Sequence, residues 1–227
     1  LYVIFGVGGG ILAAVYRGSW VDKAVQIVAL GGLATPSFWL AIVFQVVFFA
    51  HLRWLPATGR LTAGAAAPPA VTGLYLADGL LAGNWPLFWD ALRHILMPAA
   101  ALLLGSIANV LRITRRAMLQ VFGEPYVGTA RAKGLGERRV ILRHALKNAA
   151  IPVLTMIGLQ TGFLFSSAVV IENVFSWPGL GKYAVDSIAN LDFPPIMGVT
   201  LIVAALFVLI NLVIDLLYPM LDPRIQY

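Results

Sequence analysis

The sequence predicts an all-α, polytopic helical membrane protein, and three observations carry that prediction. Hydrophobic residues make up 60% of the 227 and charged residues only 11%, too little polar surface to cover a soluble globule of this length. Long uncharged apolar runs recur along the chain, each near the ~20 residues that cross a hydrocarbon core. Basic residues gather in one segment instead of spreading over a surface: nine of the sixteen fall between positions 112 and 147.

The apolar runs place spans at about 1–16, 24–50, 94–112, 148–171 and 194–216. The third is short, and the second is long enough to tilt or to bend at Pro36. Short loops rich in lysine and arginine stay in the cytoplasm, so the 113–147 loop is inside. Alternation outward from it puts the 17–23 turn and the tail at Asp222, Pro223 and Arg224 inside too, and the 51–93 and 172–193 loops outside. The net charge of +6 thus reports orientation and contact with membrane lipid, and is no argument for nucleic-acid binding. With no cysteine, disulfides and thiolate metal sites are excluded. Residue 1 already lies in an apolar run without a basic flank, so the opening does not read as a signal peptide, and the natural N-terminus is expected upstream.

The 51–93 loop is rich in Ala, Gly and Pro and reads as irregular chain plus one short interfacial helix. Its aromatic cluster, Trp85, Phe88 and Trp89, suits headgroup anchoring, with a substrate-facing role as the alternative. Small residues recur every fourth position at Ala101, Gly105 and Asn109, and again at Gly158, Gly162 and Ser166. Such stripes let helix backbones approach closely, either within the subunit or across a dimer axis.

Catalytic chemistry finds no foothold. The phosphate-cradling pattern GxxxxGK[ST] is absent; Gly181-Lys182 is followed by Tyr183 and lacks the upstream glycine. No cofactor, metal site or catalytic constellation is expected on this chain, whose three histidines are scattered. Acids avoid the middle of the spans: Glu172 falls at the outer end of the fourth, and Asp215 near the inner end of the fifth, one turn from Asn211. Gln45, Asn109 and Gln160 could line a pathway, but polar glue between helices is the favoured role for each.

The cytoplasmic loop has an internal grammar beyond its charge. Pro125 suits the first position of a short helix, Glu124 favours its positive N-terminal end, and Gly134 suits the left-handed residue past its C-terminus. Between them Tyr126 and Ala130 share one face, flanked by Thr129, a nearly bare surface beside one aromatic. A second helix begins near Glu137, with Val140, Ile141, His144 and Ala145 as its apolar face and Arg139, Arg143 and Lys147 as a basic row. That row suits phospholipid headgroups or an acidic partner, and a lipid-facing amphipathic loop is the alternative.

The run from Glu124 to Pro152, EPYVGTARAKGLGERRVILRHALKNAAIP, resembles the EAA loop of permease subunits of binding-protein-dependent ABC importers, in the form found in the dipeptide, oligopeptide and nickel branch. The likeness extends upstream through LRHILMP (92–98) and RITR (112–115), and downstream through ENVFSWPGLG (172–181) and LDPRI (221–225). It implies a type I ABC importer transmembrane-domain fold lacking one N-terminal span here, multi-pass in a bacterial or archaeal plasma membrane. It also implies partners: a second permease, two cytoplasmic ATP-binding subunits and an extracytoplasmic solute-binding protein. By resemblance the first loop helix is the coupling helix, with Glu124, Tyr126, Gly128, Thr129, Ala130, Arg131, Lys133 and Gly134 at the ATPase. Gly128 stands where the general motif has glutamate and Lys147 where it has proline, so Arg131, Lys133 or Glu124 would supply the polar contacts. The cargo implied is peptides or related small solutes, and the 62–84 stretch could touch the binding protein. A secondary transporter or channel without an ATPase is the alternative, and a membrane scaffold a third reading.

Overall fold

The structure, a computed structural model, describes residues 1–68 and 70–221; the tail at Asp222, Pro223 and Arg224, and with it most of the 221–225 motif, lies outside the described residues. Among these residues the chain forms helices joined by turns and irregular segments: α1 (Tyr2–Val15), α2 (Trp20–Ala34) and α3 (Ser37–Phe44, continuing in wider turns through Gln45–His51). Then come α4 (Tyr75–Leu81), α5 (Trp85–Phe122), α6 (Pro125–Ala132), α7 (Glu137–Val174, with wider turns over Val140–Ala145), α8 (Leu180–Ala189) and α9 (Phe193–Leu221).

By length and composition, α5, α7 and α9 are able to cross a membrane, and α2 with α3 would make a fourth span if counted together. The run at 24–50 is broken rather than tilted. Thr35 and Pro36 are both extended, as a residue before proline prefers. The 94–112 run is the core of a helix of 38 residues, roughly 57 Å long, and the 148–171 run likewise sits inside α7. Charged residues end a hydropathic run without ending a helix. Nothing between Trp85 and Phe122 interrupts α5, which carries Pro98 inside it and stops before Gly123. The basic residues at 112, 115 and 116 therefore belong to a span-bearing helix, and the irregular part of the expected 113–147 loop is much shorter.

The chain divides into two compact units: Leu1–Thr35, Leu103–Leu164 and the part from Ile202 onward form the first; Pro36–Leu102 and Phe165–Leu201 form the second. In the first unit, glycines set the approach of α1 to α5. A Cβ added at Gly10 would lie 2.5 Å from Thr114 Cβ and 2.8 Å from the Leu111 carbonyl oxygen. Tyr2 ties α1 to α7, its hydroxyl donating to the Ile157 carbonyl at 3.1 Å and lying 2.6 Å from Thr161 Oγ1. Gly158 and Gly162 face Ile214 and Phe207 of α9, so this small-residue stripe serves packing within the chain. In the second unit, Ala41, Met97, Ala101, Ile171 and Phe175 form the core.

The 62–84 stretch is tied down at Thr62, Thr72 and Gly73. Asp90 accepts from the N–H and hydroxyl of Thr62, and Asp78 accepts from the N–H and hydroxyl of Thr72 and from the Gly73 N–H. Lys182 N–H donates to Glu172 at 2.9 Å, so that acid caps the start of α8.

Candidate functional site

The 123–136 segment between α5 and α7 builds a two-faced helix. Glu124 is extended and Pro125 opens α6, its missing N–H costing nothing at that position. The Thr129 hydroxyl donates to the Pro125 carbonyl at 3.0 Å. At the other end Gly134 adopts φ +74°, and the Gly134 and Leu135 N–H groups donate to the Arg131 and Ala130 carbonyls at 2.9 and 3.3 Å. A left-handed glycine of this kind closes a helix with little strain.

Val127 and Ala130 point into the first unit's core, 0% and 6% exposed, beside Met118 and Val121 of α5 and Val140, Ala145 and Ala149 of α7. This corrects the expected surface. Ala130 does not share an open face with Tyr126; helix spacing sets it one turn from both Tyr126 and Val127, and the side chains of α5 and α7 packed around Val127 bury it too. The open face is Tyr126, Gly128 and Thr129, with Tyr126 40% exposed and nothing within 4 Å of a Cβ added at Gly128. Burial raises the Tyr126 phenol above its usual value, and the nearby Glu124 charge adds to this, so the ring meets any partner as a neutral group.

Arg131 is committed locally. Its Nη2 and Nε donate to the Glu137 carboxylate at 2.6 and 3.2 Å, and its guanidinium lies 5.6 Å from the Phe122 ring centre. This exposed pair bridges α6 and the start of α7, and Lys133 and Glu124 are exposed as well. On α7 the expected faces appear: Val140 and Ala145 are buried, Ile141 and His144 half-buried, and Arg139, Arg143 and Lys147 exposed.

Of the residues considered for a pathway, Gln45 donates to the Ala57 and Val174 carbonyls at 3.0 and 3.1 Å within the second unit. Gln160, 7% exposed, accepts from Ser106 at 3.5 Å within the first, and Asn109 is half-buried on α5. Gln45 and Gln160 are engaged as helix-to-helix polar contacts.

Sequence reasoning missed a largely buried ion pair, between Arg115 of α5 and Asp22 of α2, with side chains 20% and 3% exposed. Ser19 followed by Asp22 carries a capping signal, and Ser19 Oγ does accept from the Asp22 N–H at 3.4 Å. No local spacing rule pairs that acid with an arginine so distant in the chain.

Residues 6–227 match the family described as "Binding-protein-dependent transport system inner membrane component". The chain is 46% identical over 225 residues to the probable D,D-dipeptide transport system permease protein DdpB of Escherichia coli (strain K12), covering 99% of this chain and 66% of that one. It is 44% identical over 227 residues to the dipeptide transport system permease protein DppB of Alkalihalophilus pseudofirmus, with 99% and 67% covered. With the glutathione transport system permease protein GsiC of Escherichia coli (strain K12) it shares 39% over 225 residues, 99% of this chain and 64% of that one. The chain thus spans about two thirds of the length of these curated relatives.

Proposed function

Because this chain belongs to the family of binding-protein-dependent transport system inner membrane components, we propose that it is a transmembrane permease subunit of an ATP-binding-cassette importer. It works beside a second permease, two cytoplasmic ATP-binding subunits that hydrolyse ATP, and an extracytoplasmic solute-binding protein, and binds no cofactor itself. Short peptides are the proposed cargo, since relatives are named for D,D-dipeptide, dipeptide and glutathione transport.

The observation that carries this reading is the division of α6 into a seated and an open face. A partner gripping Tyr126, Gly128 and Thr129 holds a helix whose Val127 and Ala130 are set among side chains of α5 and α7. Movement at the partner then passes directly to two span-bearing helices. The importer needs partner contacts that differ in strength between inward-open and outward-open states, since a ligand shifts an equilibrium only by its differential affinity. Glu124 and Lys133 supply polar contacts at the two ends of α6, while Arg131 and Gly134 keep its shape. The basic row at Arg139, Arg143 and Lys147 faces an acidic partner surface or lipid headgroups.

Gly128→Trp tests the docking face. It adds bulk on the open side and is expected to leave the permease folded while abolishing cargo-stimulated ATP hydrolysis in the reconstituted importer. Coupled hydrolysis at the wild-type rate would refute the docking assignment. Gly134 is a poorer target, because its φ of +74° strains the backbone with any other residue. If the gently solubilised protein brings down no ATPase, the importer reading itself fails.

A further inference from the structure

The second unit contains an arginine that takes part in no ion pair among the described residues. Arg60 lies in the irregular segment after α3. Its guanidinium carbon sits 5.5 Å from the ring centre of Tyr75 on α4 and 5.7 Å from that of Trp177, just past α7. One terminal nitrogen donates to the Pro178 carbonyl, and Nε is buried without an acceptor. Beside it is a cavity of about 300 Å³ whose other walls include Leu74, Leu76, Ala77, Ala91 and Ile95.

A brace between the 51–93 and 172–193 loops would be served by the carbonyl bond and the two rings. It leaves unexplained why a cation lines an otherwise apolar cavity, since a charge beside apolar surface ordinarily finds a partner. The planar guanidinium suits a carboxylate, and the apolar walls suit the body that carries it. A free phosphate would gain the charge but waste the walls.

We propose that this cavity is a subsite for the carboxylate end of a short peptide, with the Arg60 guanidinium pairing with the carboxylate and the cavity receiving the adjoining apolar side chain. This rests on the peptide-import reading above. Both loops that build the cavity lie on the side expected to be outside, where cargo arrives.

The test uses the permease complex with its ATP-binding subunits in nanodiscs, without the binding protein, and follows N-acetylphenylalanine and its carboxamide by saturation-transfer NMR titration. The acid is expected to bind at least about tenfold more tightly than the amide, as a site built for one polar group rejects the analogue lacking it. Arg60→Gln should erase that preference, an outcome that a merely structural arginine would not produce. Ala77→Phe, which fills the cavity and leaves Arg60 in place, should weaken both ligands. Equal affinity for acid and amide, no saturable binding of either, preference surviving in Arg60→Gln, or undiminished binding in Ala77→Phe would each overturn the subsite. ATP-driven dipeptide uptake, measured on the same complex with its binding protein, separates the two ideas. Uptake with no acid preference sinks only the subsite, and absence of uptake sinks the import reading.

Discussion

Arg115 Nε and Nη2 hold the two carboxylate oxygens of Asp22 at 2.7 and 2.8 Å, joining α5 to α2 across 93 residues of chain. Asp22 also accepts from the Gly18 N–H at 2.9 Å and the Gln26 amide at 2.7 Å, so both oxygens are shared between two donors. Removing one partner of a buried pair costs roughly 3–5 kcal/mol, and the partial exposure of Arg115 puts this site near the lower end. Asp22→Asn should therefore lower the unfolding temperature of the solubilised protein more than the double change Asp22→Asn with Arg115→Met. A loss in the double variant equal to the sum of the Asp22→Asn and Arg115→Met losses in thermal melts would show that the two side chains are not coupled.

Gly10→Val places a branched side chain where even a Cβ meets Thr114 and the Leu111 carbonyl. Overpacking of this kind costs about 1–3 kcal/mol and should push α1 off α5. Gly8→Ala, where nothing lies within 4 Å, is the matched control and should be neutral or slightly stabilising. Membrane-fraction yield and melting temperature of the two variants check the contrast.

Val127→Ala removes two buried methyl groups from beneath α6, worth about 1.5 kcal/mol. Amides of the 125–132 segment should exchange with deuterium faster by roughly tenfold, while Thr129→Ala, on the exposed side, should change exchange little. An unchanged rate in Val127→Ala would mean that α6 is held by its caps and by Arg131 alone.

The Thr72 hydroxyl, opposed by burial and aided by the Thr72 and Gly73 N–H groups, holds the Asp78 carboxyl below its usual range. A depressed acid contributes stability that is fully present above the unfolded carboxylate value, about 4, and is lost as pH falls through the folded one. Deuterium exchange at residues 71–79 should therefore stay slow at neutral pH, after correction for intrinsic rates, and quicken only under strongly acidic conditions. Asp78→Asn should quicken it at pH 7. Protection independent of the carboxylate would contradict the anchor.

Composition and charge clustering made the helical membrane character legible, because a bilayer demands long apolar stretches whatever the tertiary packing. The start and end of α6 were equally readable from Pro125 and Gly134, whose backbone preferences are local. Which side of α6 is buried was not, since a short helix bearing Tyr126, Val127 and Ala130 offers two plausible apolar sides and only the facing residues of α5 and α7 decide. Helix lengths were underestimated for a related reason: hydropathy marks where a helix meets lipid, and α5 continues well past that region at both ends. The Asp22 and Arg115 pair lay beyond sequence reading because its partners meet only through the folded approach of α2 to α5.

Seating Val127 and Ala130 in the core has a thermodynamic consequence for recognition. A segment that must fold as it binds spends part of its contact energy on lost chain entropy. Here that ordering is completed when the chain itself folds, so a small open surface of one aromatic ring, one glycine and one threonine hydroxyl can sustain a useful affinity. Under the docking proposed above, binding at this helix should show a small heat-capacity change, as between preformed bodies, rather than the large negative change of coupled folding.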